Sequence, residues 1–195
     1  MIIGITGHYG SGKDTAADYF IGKGYTKFSL SDILRKEAMA RGMVPDREAL
    51  ICIGNELRTT YGPGVLALRA RKTFGTGNYV VPSIRNPGEI IELRKDPRFI
   101  ILALDAPSEL RYQRHIKQER PDQIKTYGEF VASEKREESA DAANQQLHLC
   151  VKMADALVLN DGSKDAFFAK LERAIRDVET GALKQLAFGQ KQPVY

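Results

Sequence analysis

Gly4 to Phe20 reads GITGHYGSGKDTAADYF, and within it Gly7, Gly10, Gly12, Lys13 and Thr15 follow the order G-x-x-G-x-G-K-x-T. Glycines this close together let a turn aim successive backbone N–H groups at one spot. A helix starting there adds the partial positive charge of its N-terminus. That is chemistry for phosphate, and Lys13 supplies a mobile point charge for the outer phosphates. The order departs from the common phosphate-loop pattern G-x-x-x-x-G-K-[ST] at one letter, because Asp14 follows the lysine and the hydroxyl comes at Thr15. Ser11 and Thr15 keep hydroxyls available to phosphate or Mg²⁺. Asp14 has two readings: a carboxylate that meets a metal through water, or one that favours the helix's first turn electrostatically. Tyr9 completes the loop with His8, which lies within reach of a phosphate or an acceptor.

Four further stretches carry groups suited to anions. In FSLSDILRKEA, Asp32 and Arg35 are three apart and share a helix face. They form either a solvated ion pair or, through the planar fork of Arg35, a phosphate grip. Arg85 follows the apolar run YVVPSI, and ligands of open parallel sheets gather beyond the carboxyl ends of strands. RYQRHIKQER carries Arg111, Arg114, Lys117 and Arg120 at helical spacing, balanced by Glu109 and Glu119, with Arg136 further on. Asn160, Asp161 and Gly162 form a turn sequence after the last apolar run. His115 and His148 read as ordinary helix residues. Cys52 and Cys150 lack zinc spacing and read as reduced thiols filling the core.

Strands and helices must alternate to position these groups. MIIGIT is a β-branched run of the kind buried on both faces of a sheet. YTKFSL, YVVPSIR, FIILALDA and DALVLND are the other strands. Between them lie helical patterns: one after Lys13, one capped by Ser31 and Asp32 and running to about Arg41, one from Asp46 to Thr60, and one over VLALRARKTF. Others follow around Glu89 to Arg94, over SELRYQRHIKQER, twice between Tyr127 and Met153, and from Lys164 to Val178. This alternation predicts an α/β chain: a three-layer P-loop fold with a parallel five-stranded sheet and helices on both faces. The 195 residues read as one domain, with helical stretches at about 31–75 and 112–150 as movable segments.

The bulk numbers exclude other classes. A hydrophobic fraction of 43% and a charged fraction of 28% are those of a globular protein, and no apolar run reaches bilayer length. The start lacks a signal peptide's basic residues and long apolar stretch, so the expectation is a cytoplasmic chain. A net charge of +4 from 29 basic and 25 acidic residues, without a basic block or aromatic interleaving, argues against nucleic acid.

The loop with its small-residue-then-threonine ending resembles that of nucleoside monophosphate kinases. GSGKDT is similar to phage-type deoxynucleotide kinases, and IGITGHYGSGK to the start of dephospho-coenzyme A kinase. SDILR and SIRNP resemble the acceptor-binding segments of adenylate-kinase-like enzymes. The resemblance implies phosphoryl transfer from ATP with Mg²⁺. Gly7, His8, Tyr9, Gly10, Ser11, Gly12, Lys13, Asp14, Thr15 and Asn160 would hold ATP, with Thr15 and Asp14 toward the metal. Asp32, Arg35 and Arg85 would hold the acceptor, and Arg114 and Arg120 would cover the moving group from a lid at 112–150. Lys13 and Arg85 would serve the transfer itself. One departure stands out: many relatives end the third strand with an aspartate, where this chain has Pro82 and Ser83, leaving Asp14, Asp32 or Asp105 to replace it. The acceptor the resemblance implies is a small nucleotide, a nucleoside or deoxynucleoside monophosphate. The rivals are dephospho-coenzyme A and a nucleotide-binding regulator without fast transfer; a monomer and a homodimer both stay open.

Overall fold

The computed structural model describes residues 1–117, 124–136 and 144–182. Strand β1 (Ile2–Gly7) is wholly buried, as its unbroken apolar run predicts. Its neighbours are β3 (Tyr79–Val81) on one side and β4 (Phe99–Asp105) on the other. β2 (Thr26–Lys27) and β5 (Ala156–Leu159) flank these in the order β2-β3-β1-β4-β5, and every pairing is parallel.

Alternate residues of β1 face opposite layers. Ile3 and Ile5 pack with Leu102 and Leu104 against α1 (Lys13–Gly22) and α9 (Lys164–Glu179), through Ala16, Phe20, Phe167 and Leu171. Ile2 and Ile101 face the other layer, made of α2 (Leu30–Ala40), α3 (Arg47–Tyr61), α4 (Val65–Arg71), α5 (Pro87–Leu93) and α8 (Leu147–Lys152). Leu34, Ile53, Leu66, Ile90 and Cys150 are its buried contacts. The helices of the 31–75 stretch thus share the core of the sheet. α6 (Ser108–Ile116) meets α7 (Tyr127–Arg136) through Tyr112 and the fully buried Phe130, whose ring centroids lie 5.6 Å apart.

Three local expectations are corrected. β2 keeps only two residues of YTKFSL, because the chain turns into α2 at Leu30 with Ser29, not Ser31 or Asp32, at the N-cap. The Ser31 hydroxyl lies 2.8 Å from that of Ser29, and the Asp32 carboxylate takes a bond from Arg35 instead of a backbone N–H. β3 stops at Val81, since Pro82 has no N–H for the ladder and Ser83 turns left-handed at φ 70°. Cys52 is exposed and fills no core, whereas Cys150 is buried, and burial pushes its thiol pKa well up. Among the described residues, no helix is long and apolar enough to cross a membrane.

Candidate active site

The turn after β1 has the geometry its glycines predict. Gly7, Gly10 and Gly12 all have positive φ, and Gly12 is the N-cap of α1 at φ 100°. A Cβ on Gly7 would stand 2.1 Å from the Leu104 carbonyl oxygen, and one on Gly12 2.3 Å from the Asn160 amide nitrogen. Neither position admits a side chain. Lys13 Nζ donates to the carbonyls of Gly7 and His8, each at 2.7 Å. Ser11 is fully buried, and its hydroxyl has no hydrogen-bond partner. A cradle closed to side chains, a hydroxyl with spare capacity and an ammonium across it fit a bound phosphate chain.

A cleft of about 1060 Å³ opens at the carboxyl end of the sheet. Tyr9, Gly10, Gly12, Lys13, Asp14 and Thr15 line it from the turn, Asp32 and Arg35 from α2, and Arg85 from beyond β3. Arg114 of α6 and Asn160 beyond β5 line it too. Residues far apart in the chain are therefore neighbours: Asn160 Nδ2 donates to the Ser11 carbonyl at 3.0 Å, 149 positions away. Gly7, His8 and Ser11 lie outside the lining, and His8 Nδ1 stands 3.8 Å from Glu134. Arg120 and the side chain of Arg136 lie outside the described residues.

Each arginine is placed by a different element. Arg85 donates its backbone N–H to Glu89 Oε2 at 2.9 Å and its NH1 to Gln145 at 3.0 Å. Arg35 donates to Asp32 at 2.6 Å, with both side chains about half exposed (49% and 56%), so the solvated ion pair exists and stands on the cleft wall. Arg114 donates to the Asn160 carbonyl at 2.9 Å and to Gly10 at 3.4 Å, and burial lowers its guanidinium pKa from the ordinary value. Arg111, three residues earlier, is buried against Glu134 and donates to the Ala106 and Tyr9 carbonyls, at 2.8 and 3.4 Å. It braces the turn from behind and does not line the cleft.

His115 departs from its reading as an ordinary helix residue. It is 3% exposed, lines the cleft, accepts from the Ile124 N–H at 3.0 Å and meets the Tyr9 ring edge-on at 4.9 Å. Arg47 of α3 also stands over the Tyr9 ring, 5.6 Å from its centroid. Among the described residues no group of three or more His, Cys, Asp or Glu forms a metal cage. A Mg²⁺ here would rest on phosphate oxygens, water and the Thr15 hydroxyl, with Asp14 and Asp32 also in the lining of the cleft. Asp105 is not in that lining; its carboxylate accepts from the Ala106 N–H at 2.8 Å and stands 3.6 Å from Arg111 Nε.

Arg58 and Glu89 belong to no phosphate-binding motif in the sequence. Arg58 lines the cleft from α3 and pairs with Glu89 Oε1 at 3.0 Å, their side chains 3% and 1% exposed. One signal was available: Gly54 lies one turn before Arg58 on the same face, and a Cβ there would stand 3.1 Å from the Arg58 NH1.

No family model matches the chain. It is 32% identical over 186 residues to a UPF0200 protein of Pyrococcus horikoshii, across 91% of this chain and 97% of that one. A UPF0200 protein of Pyrococcus furiosus is 30% identical over 191 residues, across 94% and 100%. In fold, 92% of the chain matches 98% of a shikimate kinase from Bacteroides thetaiotaomicron with a TM-score of 0.58 and 16% identity. The parallel five-stranded sheet flanked by helices is thus a fold shared with that kinase, and the identity along nearly the whole chain shows that this protein belongs to the UPF0200 family.

Proposed function

We propose that the chain is an ATP-dependent phosphotransferase whose acceptor is a nucleoside or deoxynucleoside monophosphate. The observation that carries this is convergence: Lys13, Arg35, Arg85 and Arg114, from four separate elements, line one cleft beside a glycine cradle. Phosphoryl transfer needs alignment and charge neutralisation around the moving group more than covalent help from the protein.

The backbone N–H groups of the turn and Lys13 hold the ATP phosphates. Arg35 and Arg85 grip the acceptor phosphate with planar forks, and Arg114 faces the transferring group. Mg²⁺, when bound, neutralises phosphate charge. α6, which carries Arg114, covers this arrangement and keeps water from the reacting phosphoryl, and the helices of 31–75 form the acceptor wall. Two guanidinium groups on the acceptor side favour an acceptor that brings its own phosphate.

Asp32 supports one alternative, because a carboxylate on the cleft wall can take a proton from a hydroxyl acceptor such as dephospho-coenzyme A. Incubating the protein with ATP, Mg²⁺ and a panel of nucleoside monophosphates, deoxynucleoside monophosphates and dephospho-coenzyme A separates the readings. Phosphorylation of one or more monophosphates is expected. Turnover of dephospho-coenzyme A alone selects the hydroxyl acceptor, and tight ATP binding without any transfer selects a regulator.

A further inference from the structure

Arg58 holds more donors than its surroundings use. A guanidinium carries five N–H groups and accepts nothing. Here NH2 bonds Glu89 at 3.0 Å, NH1 reaches Asn55 Oδ1 only at 3.5 Å, and the buried Nε has no hydrogen-bond partner. Leaving donors of a buried cation unmatched is costly, so such a group is a pointer to a missing acceptor.

The group is also held rigidly. Glu89 takes Arg58 on Oε1, while its Oε2 accepts the backbone N–H groups of Arg85 at 2.9 Å and Asn86 at 3.2 Å, completing the capping box of α5. One carboxylate therefore ties Arg58 to the backbone that carries Arg85. Arg58 shares the cleft wall with Leu30, Leu34 and Leu66, aliphatic side chains that offer no hydrogen bond. A planar body packed on those side chains next to a phosphate at Arg85 meets Arg58, a buried cation with donors to spare.

Resting on the nucleotide-acceptor reading, we infer that Arg58 reads the acceptor base, and that the preferred acceptor carries a carbonyl oxygen where adenine and cytosine carry an amino group. A guanidinium faces O6 of guanine or hypoxanthine, or O4 of uracil or thymine, as donor to acceptor. Against N6 of adenine or N4 of cytosine it sets donor against donor.

Two matched pairs test this in the full chain with ATP and Mg²⁺: inosine against adenosine monophosphate, and uridine against cytidine monophosphate. Within each pair the expected kcat/KM of the oxo member is higher by about 10- to 100-fold. In Arg58→Gln, whose amide offers both a donor and an acceptor, the ratio is expected to fall to within about 3-fold. An Arg58 that only supports the fold would lower all four rates together and leave the ratios unchanged, and that result overturns the inference. Wild-type ratios near one, or favouring the amino member, overturn it as well, and they decide the matter even if Arg58→Gln fails to fold. Transfer to all four at equal efficiency removes this inference alone. Transfer to none of them, or to dephospho-coenzyme A only, removes the nucleotide reading together with it.

Discussion

Lys13 joins two jobs in one side chain: its ammonium bonds the Gly7 and His8 carbonyls at 2.7 Å, and it lines the cleft. Lys13→Ala removes a local brace whose net worth is on the order of 1 kcal/mol, so the fold is expected to survive. Transfer should fall by roughly 10²- to 10³-fold, the size seen when one preorganised donor is lost from a charge-stabilising site. A steady-state rate near wild type in a folded Lys13→Ala protein would remove the cradle reading. Arg85 differs, because its backbone is fixed by Glu89 while its guanidinium reaches Gln145 at the cleft wall. Arg85→Ala is expected to raise the acceptor KM about 10- to 100-fold, the range for a lost charge-assisted bond, with the ATP KM unchanged. Titrating acceptor and ATP separately checks this, and an ATP effect larger than the acceptor effect contradicts the assignment. The contrast between Arg111 and Arg114 belongs to this scale too. They stand three apart on one helix, yet one pairs with Glu134 and donates to the Tyr9 carbonyl of the turn, while the other faces the cleft.

At the scale of elements, the end of β3 decides how the acceptor wall is built. Pro82 ends the ladder, Ser83 takes the left-handed conformation, and Thr6 Oγ1 donates to the Ile84 carbonyl at 2.9 Å, tying the turn back to β1. Arg85 then emerges into the cleft, and Asn86 starts α5 through a reciprocal cap with Glu89. A serine at φ 70° carries strain that glycine does not. Ser83→Gly is therefore expected to stabilise the protein by about 1 kcal/mol, read as a rise in Tm of roughly 2–4 °C for a chain of this size. Ser83→Ala, which keeps the Cβ, should give no such rise. Equal melting temperatures for Ser83→Gly and wild type in a thermal scan would show that the turn carries no strain.

For the whole molecule, the cleft is a product of the parallel sheet, since the turn after β1, the end of β3 and the end of β5 all open on the same edge. Ligand binding there couples to global stability: ATP at about 100 times its Kd should add about 2.7 kcal/mol and raise Tm by several degrees. A thermal scan with and without ATP and Mg²⁺ reads this directly, and no shift at saturating nucleotide contradicts a donor site in the cradle. Much of this architecture was legible in the chain itself. The positive-φ turn was visible because glycine spacing acts over a few residues, and the alternation of apolar runs with helical periods announced an α/β sheet. The sequence by itself therefore determined the cradle and the class of fold, both set by local backbone chemistry. Only the tertiary structure decided that β1 lies between β3 and β4, that YTKFSL keeps just two strand residues, and that Cys52 is outside while Cys150 is inside. It alone paired Arg58 with Glu89, 31 positions away, because the partner of a buried charge is chosen by which helices pack against one another, and no local pattern records that.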